Sequence, residues 1–187
     1  MGSTTRRIPQ YSPSIELFGD WDKTRSLING LDVTIKAGAI LGQKSAAEKL
    51  EKIIKKNIRE NGGSIGWPPV SDKYAIRKKS MGYDPNNLLV LTGLYYRNIN
   101  TWYKGNTYYV GLKSKVRNPK TGGRLTLVQI ANILEHGSVV RKIKARPLWR
   151  PSFKQFGGSA RIKYLIVWHI RNLLRTKYGI KVKINIT

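Results

Sequence analysis

The side chains that could do nucleophilic, acid–base or metal chemistry are few in this chain, and they are scattered. Cysteine is absent, which excludes thiolate nucleophiles, disulfide frameworks and thiolate zinc sites together. The two histidines, His136 and His169, have no partner ligand at useful spacing, and each suits packing or helix capping. The carboxylates form only loose groups, Asp20 with Asp22 and Glu48, Glu51 with Glu60. A metal-dependent nuclease needs carboxylates converging beside a basic residue. Residues 85–187 offer one acid, Glu135, among twenty Lys and Arg. This pattern supplies no catalytic, cofactor-binding or metal residue, and it predicts that the protein is not an enzyme.

Charge is the stronger signal. Thirty-five Lys and Arg face ten acids, a net +25. Residues 1–84 contribute +6 of it and residues 85–187 contribute +19. Such a surface calls for a negative neighbour, either nucleic acid or an acidic protein. The densest candidate is the Gly-rich loop carrying Lys113, Lys115, Arg117, Lys120 and Arg124. It suits non-specific contact with the phosphates of double-stranded DNA, or with an acidic partner. Helix-turn-helix and zinc-finger spacings are absent, so base-specific reading is not expected. Aromatic and basic residues also interleave at Tyr95, Tyr96, Arg97, Trp102, Tyr103 and Lys104, where strand packing is the first explanation. No segment is apolar over a bilayer's width and no signal-peptide core follows the start, so a soluble protein made in a reducing cytosol is expected.

The elements that would position these residues can be read from periodicity. Residues 1–22 show no sustained period and read as an N-terminal arm, with residues 23–187 as a single domain. From Lys23 to Asn61 the residues Leu27, Leu31, Ile35, Ala39, Ala46, Leu50, Ile53, Ile54 and Ile58 recur at helical spacing. They predict one long amphipathic helix, bent or broken at Gly38 and Gly42 and stopped by Asn61-Gly62-Gly63. Ser71 caps a short helix to about Lys79. Residues 97–104 and 107–114 read as a hairpin around Lys104-Gly105-Asn106. Helices follow over Thr126–His136 and from Ser159 to Tyr178, and residues 180–187 alternate as a half-buried strand. Between those two helices, Pro147 and Pro151 push Arg146 and Arg150 away from helical geometry and predict an extended, rigid connector. The fold class is α+β: a small, mainly antiparallel sheet of the hairpin plus the C-terminal strand, packed by helices, with the long helix in front.

Two strings of residues carry a resemblance. The first is Trp67-Pro68-Pro69-Val70-Ser71, then Lys78-Lys79, Gly82, Leu88-Leu89, Thr92-Gly93-Leu94 and Asn98-Ile99. The second runs from Tyr109-Val110-Gly111 through Ile133-Leu134-Glu135-His136-Gly137 to Ile143-Lys144-Ala145-Arg146-Pro147-Leu148-Trp149-Arg150-Pro151. In this order they resemble the tail-completion and virion-morphogenesis proteins of tailed bacteriophages. Lys144 departs from the proline usual there, Leu134-Glu135-His136-Gly137 lacks the usual aromatic before glycine, and the N-terminal arm is longer.

The resemblance implies a structural protein of the virion neck, assembled in the host cytoplasm. It would form a hexamer or dodecamer ring joining the DNA-filled head to the tail, beside head-completion or adaptor proteins and a tail terminator. It also implies an oligomer interface along the connector, at Ile143, Arg146, Pro147, Trp149, Arg150, Pro151 and Phe153, with Trp149 and Phe153 as aromatic anchors. The competing expectation, from charge alone, is a free-standing, non-specific double-stranded DNA-binding protein.

Overall fold

A computed structural model of the protein describes residues 21–88, 93–112, 116–117 and 125–180. The N-terminal arm up to residue 20 lies outside the described residues, as does the expected C-terminal strand beyond Ile180. The described architecture is α+β, with helices α1 (Trp21–Arg59), α2 (Asp72–Ser80), α3 (Leu94–Arg97), α4 (Leu127–His136), α5 (Trp149–Phe156) and α6 (Gly158–Tyr178). Strands β1 (Ile99–Lys104) and β2 (Thr107–Leu112) form one antiparallel hairpin. Gly105 and Asn106 close it at φ 55° and 63°, the double left-handed pair that matches strand twist in a two-residue turn.

α1 departs from expectation in one instructive way. It runs unbroken through Gly38 and Gly42, and these glycines are contact points rather than bends. A Cβ at Gly38 would lie 2.8 Å from the Ile170 Cα, and one at Gly42 would lie 2.4 Å from the Ile166 Cα. Gly30, Thr34, Gly38, Gly42 and Ala46 recur every four residues, and this low ridge lets α6 lie backbone-close against α1. The consequence for the predicted apolar face is a rotation. Leu27, Ile28 and Ile35 stand exposed, because the small residues beside them, not the large ones, meet α6.

Beyond Ala46 the larger apolar residues take over. Ile54 and Ile58 are buried with Trp67, Tyr95, Ile99, Ala131 and Leu148 in the main core, where the hairpin's inner face, α4 and the start of α5 converge. A second cluster joins Ala46 to Phe156 and Leu165. Asn57 ties α1 to α5 through the same interior, donating to the Ser152 Oγ at 2.8 Å and to the Gln155 Oε1 at 2.9 Å. The helix from Thr126 forms as read, with the Thr126 and Gln129 side chains making a reciprocal capping box.

The connector corrects a second expectation. Arg150 and Pro151 are not extended. They sit in the first turn of α5, where a proline's missing N–H has no intrahelical acceptor to lose. Only residues 144–148 remain outside regular structure.

Candidate functional site

The clearest constellation is a clasp in which the two resemblance strings hold each other. The Trp67 indole N–H donates to the Pro147 carbonyl at 2.7 Å. In return the Arg146 guanidinium donates from Nε to the Pro68 carbonyl at 3.0 Å and from Nη2 to the Pro69 carbonyl at 2.9 Å. Prolines cannot donate from the backbone, but their carbonyls accept, and the stiff Trp67-Pro68-Pro69 run presents them in a fixed row. The planar guanidinium fork suits two adjacent acceptors. Arg146 is 7% exposed, and burial lowers its pKa from the ordinary arginine value.

Glu135 completes the clasp. Its carboxylate accepts from the backbone N–H groups of Leu148 at 2.6 Å, Trp149 at 3.1 Å and Arg150 at 3.4 Å. No side chain at Leu148 caps α5, so a carboxylate from α4 fills the role and meets the positive end of the α5 dipole. The only acid in the basic half of the chain is therefore structural. Its isolation among twenty cations was the signal that could have marked it.

Neighbouring backbone fits the same arrangement. The Arg146 N–H donates to the Leu134 carbonyl at 2.6 Å, closing the end of α4. Gly137 has φ 77°, and a Cβ there would meet the Ile143 carbonyl oxygen at 2.9 Å and the Ala145 nitrogen at 3.0 Å. Tyr95 lies buried in the main core, against which Trp149 packs, and burial pushes its phenol pKa well above the usual tyrosine value. A cleft of about 640 Å³ opens beside the clasp, lined by Pro69, Tyr74, Leu88, Leu134, Ile143 and Arg146 among others.

This changes the roles expected along the connector. Arg146 and Pro147 are engaged within the chain and cannot present their polar groups to a neighbour without opening the clasp. Trp149 is half-buried and packs on the main core, and Ile143 and Pro151 are half-buried as well. Arg150 and Phe153 remain exposed at the surface. The residues that stand out furthest were not anticipated. Val139 and Val140 are each 95% exposed. They form the tip of a turn closed by paired backbone hydrogen bonds between Ser138 and Ile143, and Arg141, Lys142 and Lys144 flank them in sequence.

Of the predicted anion-contact loop, Arg117 is described, exposed, and bridged through its backbone to Thr126. Lys113, Lys115, Lys120 and Arg124 lie outside the described residues. The interleaved aromatics divide between α3 and the hairpin: Tyr95, on α3, is buried, and Trp102 of β1 stacks on Tyr109 of β2 across the strands at 5.7 Å. His136 ends α4, and His169 meets the Trp168 ring edge-on at 4.8 Å. Among the described residues no three His, Asp or Glu gather closely enough to hold a metal ion, and no helix is long and apolar enough to cross a membrane.

Comparison of the chain with protein-family models, curated proteins and solved structures returns no match.

Proposed function

We propose that this protein is a structural component of a bacteriophage head–tail neck, of the tail-completion type, and works through interfaces in a ring. The observation that carries this reading is the clasp. The two strings that resemble such proteins, about eighty residues apart, meet through Trp67, Pro147 and Arg146. Their residues hold a rigid scaffold around a proline corner, which accounts for their types without invoking catalysis. A clasped connector fixes the Val139–Val140 turn and α5 relative to the core, so those parts reach a neighbouring subunit with little entropy left to lose. The interface in this reading therefore moves outward from Arg146 and Pro147 to Val139, Val140, Arg150 and Phe153. The excess positive charge faces DNA or an acidic neighbouring ring.

Electron microscopy of phage lysates made with the gene disrupted tests the role. Filled heads and finished tails lying unjoined are the expected result. Intact, joined particles would overturn it and leave free-standing double-stranded DNA binding as the leading account.

A further inference from the structure

We propose that the outward face of α6 is a binding surface for single-stranded nucleic acid. Arg161, Tyr164, Trp168 and Arg175 lie at i, i+3, i+7 and i+14 and share one face of the helix. Ile166 and Ile170, on its other side, press against Gly42 and Gly38 of α1. Tyr164 and Trp168 are each 46% exposed on the face turned away from α1. The Arg161 guanidinium sits over the Tyr164 ring at 5.0 Å.

The charge of this region is of one sign. Residues 149–178 contain seven Lys and Arg and no Asp or Glu. Five of the ten acids are engaged locally: Asp32, Glu48, Glu51 and Glu60 each pair with a lysine four residues away, and Glu135 holds the start of α5. Protein interfaces set register by placing both signs across from each other. A surface with cations and no carboxylates suits instead a uniform polyanion. The rings decide which one. A duplex keeps its bases stacked inside and offers phosphates alone, whereas a single strand offers π faces to aromatic side chains. Tyr164 and Trp168 are one turn apart, about 6 Å along the axis, which leaves room for a base on each, with phosphates reaching Arg161 and Arg175 at the flanks.

This inference does not depend on the neck role, because it concerns the isolated chain. Fluorescence anisotropy of the purified protein with a labelled thirty-nucleotide oligo(dT), and with a labelled duplex of equal length, tests it at ~50 and ~200 mM salt. The oligo(dT) should bind more tightly than the duplex. Trp168→Ala should weaken oligo(dT) binding by about tenfold while leaving the duplex within about twofold, and Trp168→Phe should restore most of the loss. Joint Arg161→Gln and Arg175→Gln, at exposed positions that do not carry the fold, should flatten the salt dependence. Equal or tighter duplex binding would overturn the proposal, as would an unchanged Trp168→Ala affinity or no oligo(dT) binding at the lower salt. Displacement of oligo(dT) by polyglutamate at matched charge would overturn it in favour of an acidic protein partner.

Discussion

Gly42 and Ile166 meet so closely that a single added carbon would fall 2.4 Å from the Ile166 Cα. On an isolated helix Gly→Ala gains about 1 kcal/mol from backbone entropy. Here the new methyl meets backbone that cannot swing aside, and overpacking of that kind costs about 1–3 kcal/mol. Gly42→Ala should therefore destabilise the protein despite its better propensity, by up to about 2 kcal/mol in urea unfolding once the two terms are netted. Gly30→Ala is the contrast. Its Cβ would meet the Tyr178 hydroxyl at 2.7 Å, the far end of a side chain that can move, so that change should be near neutral.

The clasp makes Arg146 irreplaceable by its nearest chemical relative. Lysine is a point charge that cannot span the Pro68 and Pro69 carbonyls together. Arg146→Lys should leave one buried carbonyl without a donor, a loss of about 1–3 kcal/mol by chemical denaturation. Hydrogen exchange should quicken first around α5 and the end of α4, which the clasp joins. Unchanged stability in Arg146→Lys would show that the two carbonyls find water instead.

Glu135 stands in the last turn of α4, where the helix dipole disfavours a carboxylate. Its compensation comes from three N–H groups at the start of α5. Glu135→Gln keeps an acceptor but loses the charge, so it should cost about 1 kcal/mol, and Glu135→Ala about 2 kcal/mol. Thermal melts of the two variants check the order. Equal losses would mean that the charge carries the whole effect and a neutral acceptor recovers none of it. A Glu135→Gln protein as stable as wild type would mean that the charge contributes nothing.

What was legible in the sequence follows from range. The helix from Thr126 to His136, the hairpin around Gly105-Asn106 and the helix ending at Tyr178 rest on local patterns, and each formed where its own residues place it. The buried face of α1 was legible from Ala46 onward, where Ala46, Ile54 and Ile58 are buried as the period places them. Before Ala46 it was misplaced, because periodicity weighs side-chain size while the winning contact used the absence of side chains at Gly38 and Gly42. The repeat of small residues every four positions was visible but equally compatible with a bend. Arg146 was read outward for a related reason. An Arg before a proline looks like a surface corner until the carbonyls of a loop 78 residues away supply its acceptors, and no local pattern reveals that pairing.

Burial holds Tyr95 protonated, and this has a pH signature. Its folded pKa is raised above the ordinary value of 10.0. Below pH 10 the phenol is neutral in both folded and unfolded chains, and its contribution is fully present. Above pH 10 the unfolded chain releases the proton while the folded chain keeps it, so stability falls as pH rises. Urea midpoints measured from pH 8 to 11 should drop on the alkaline side. Tyr95→Phe, which removes the titrating hydroxyl and keeps the buried ring, should flatten that limb. An alkaline limb unchanged in Tyr95→Phe would assign it to other groups.

Val139 and Val140 separate folding from assembly. Both project from a turn whose hydrogen bonds run between Ser138 and Ile143, and neither contributes to the buried core. Polar replacement at such positions should shift stability by no more than about 0.5 kcal/mol. If the turn seats in a neighbour of the neck, Val139→Asp with Val140→Asp loses apolar contact and adds negative charge beside Arg141 and Lys142. The doubly substituted protein should fold normally, as seen in its circular dichroism and urea midpoint, yet incorporation into particles should fall at least about tenfold in a complementation assay, the ratio for roughly 1.4 kcal/mol. Wild-type incorporation would remove the turn from the interface and leave Phe153 and Arg150 as the residues to test.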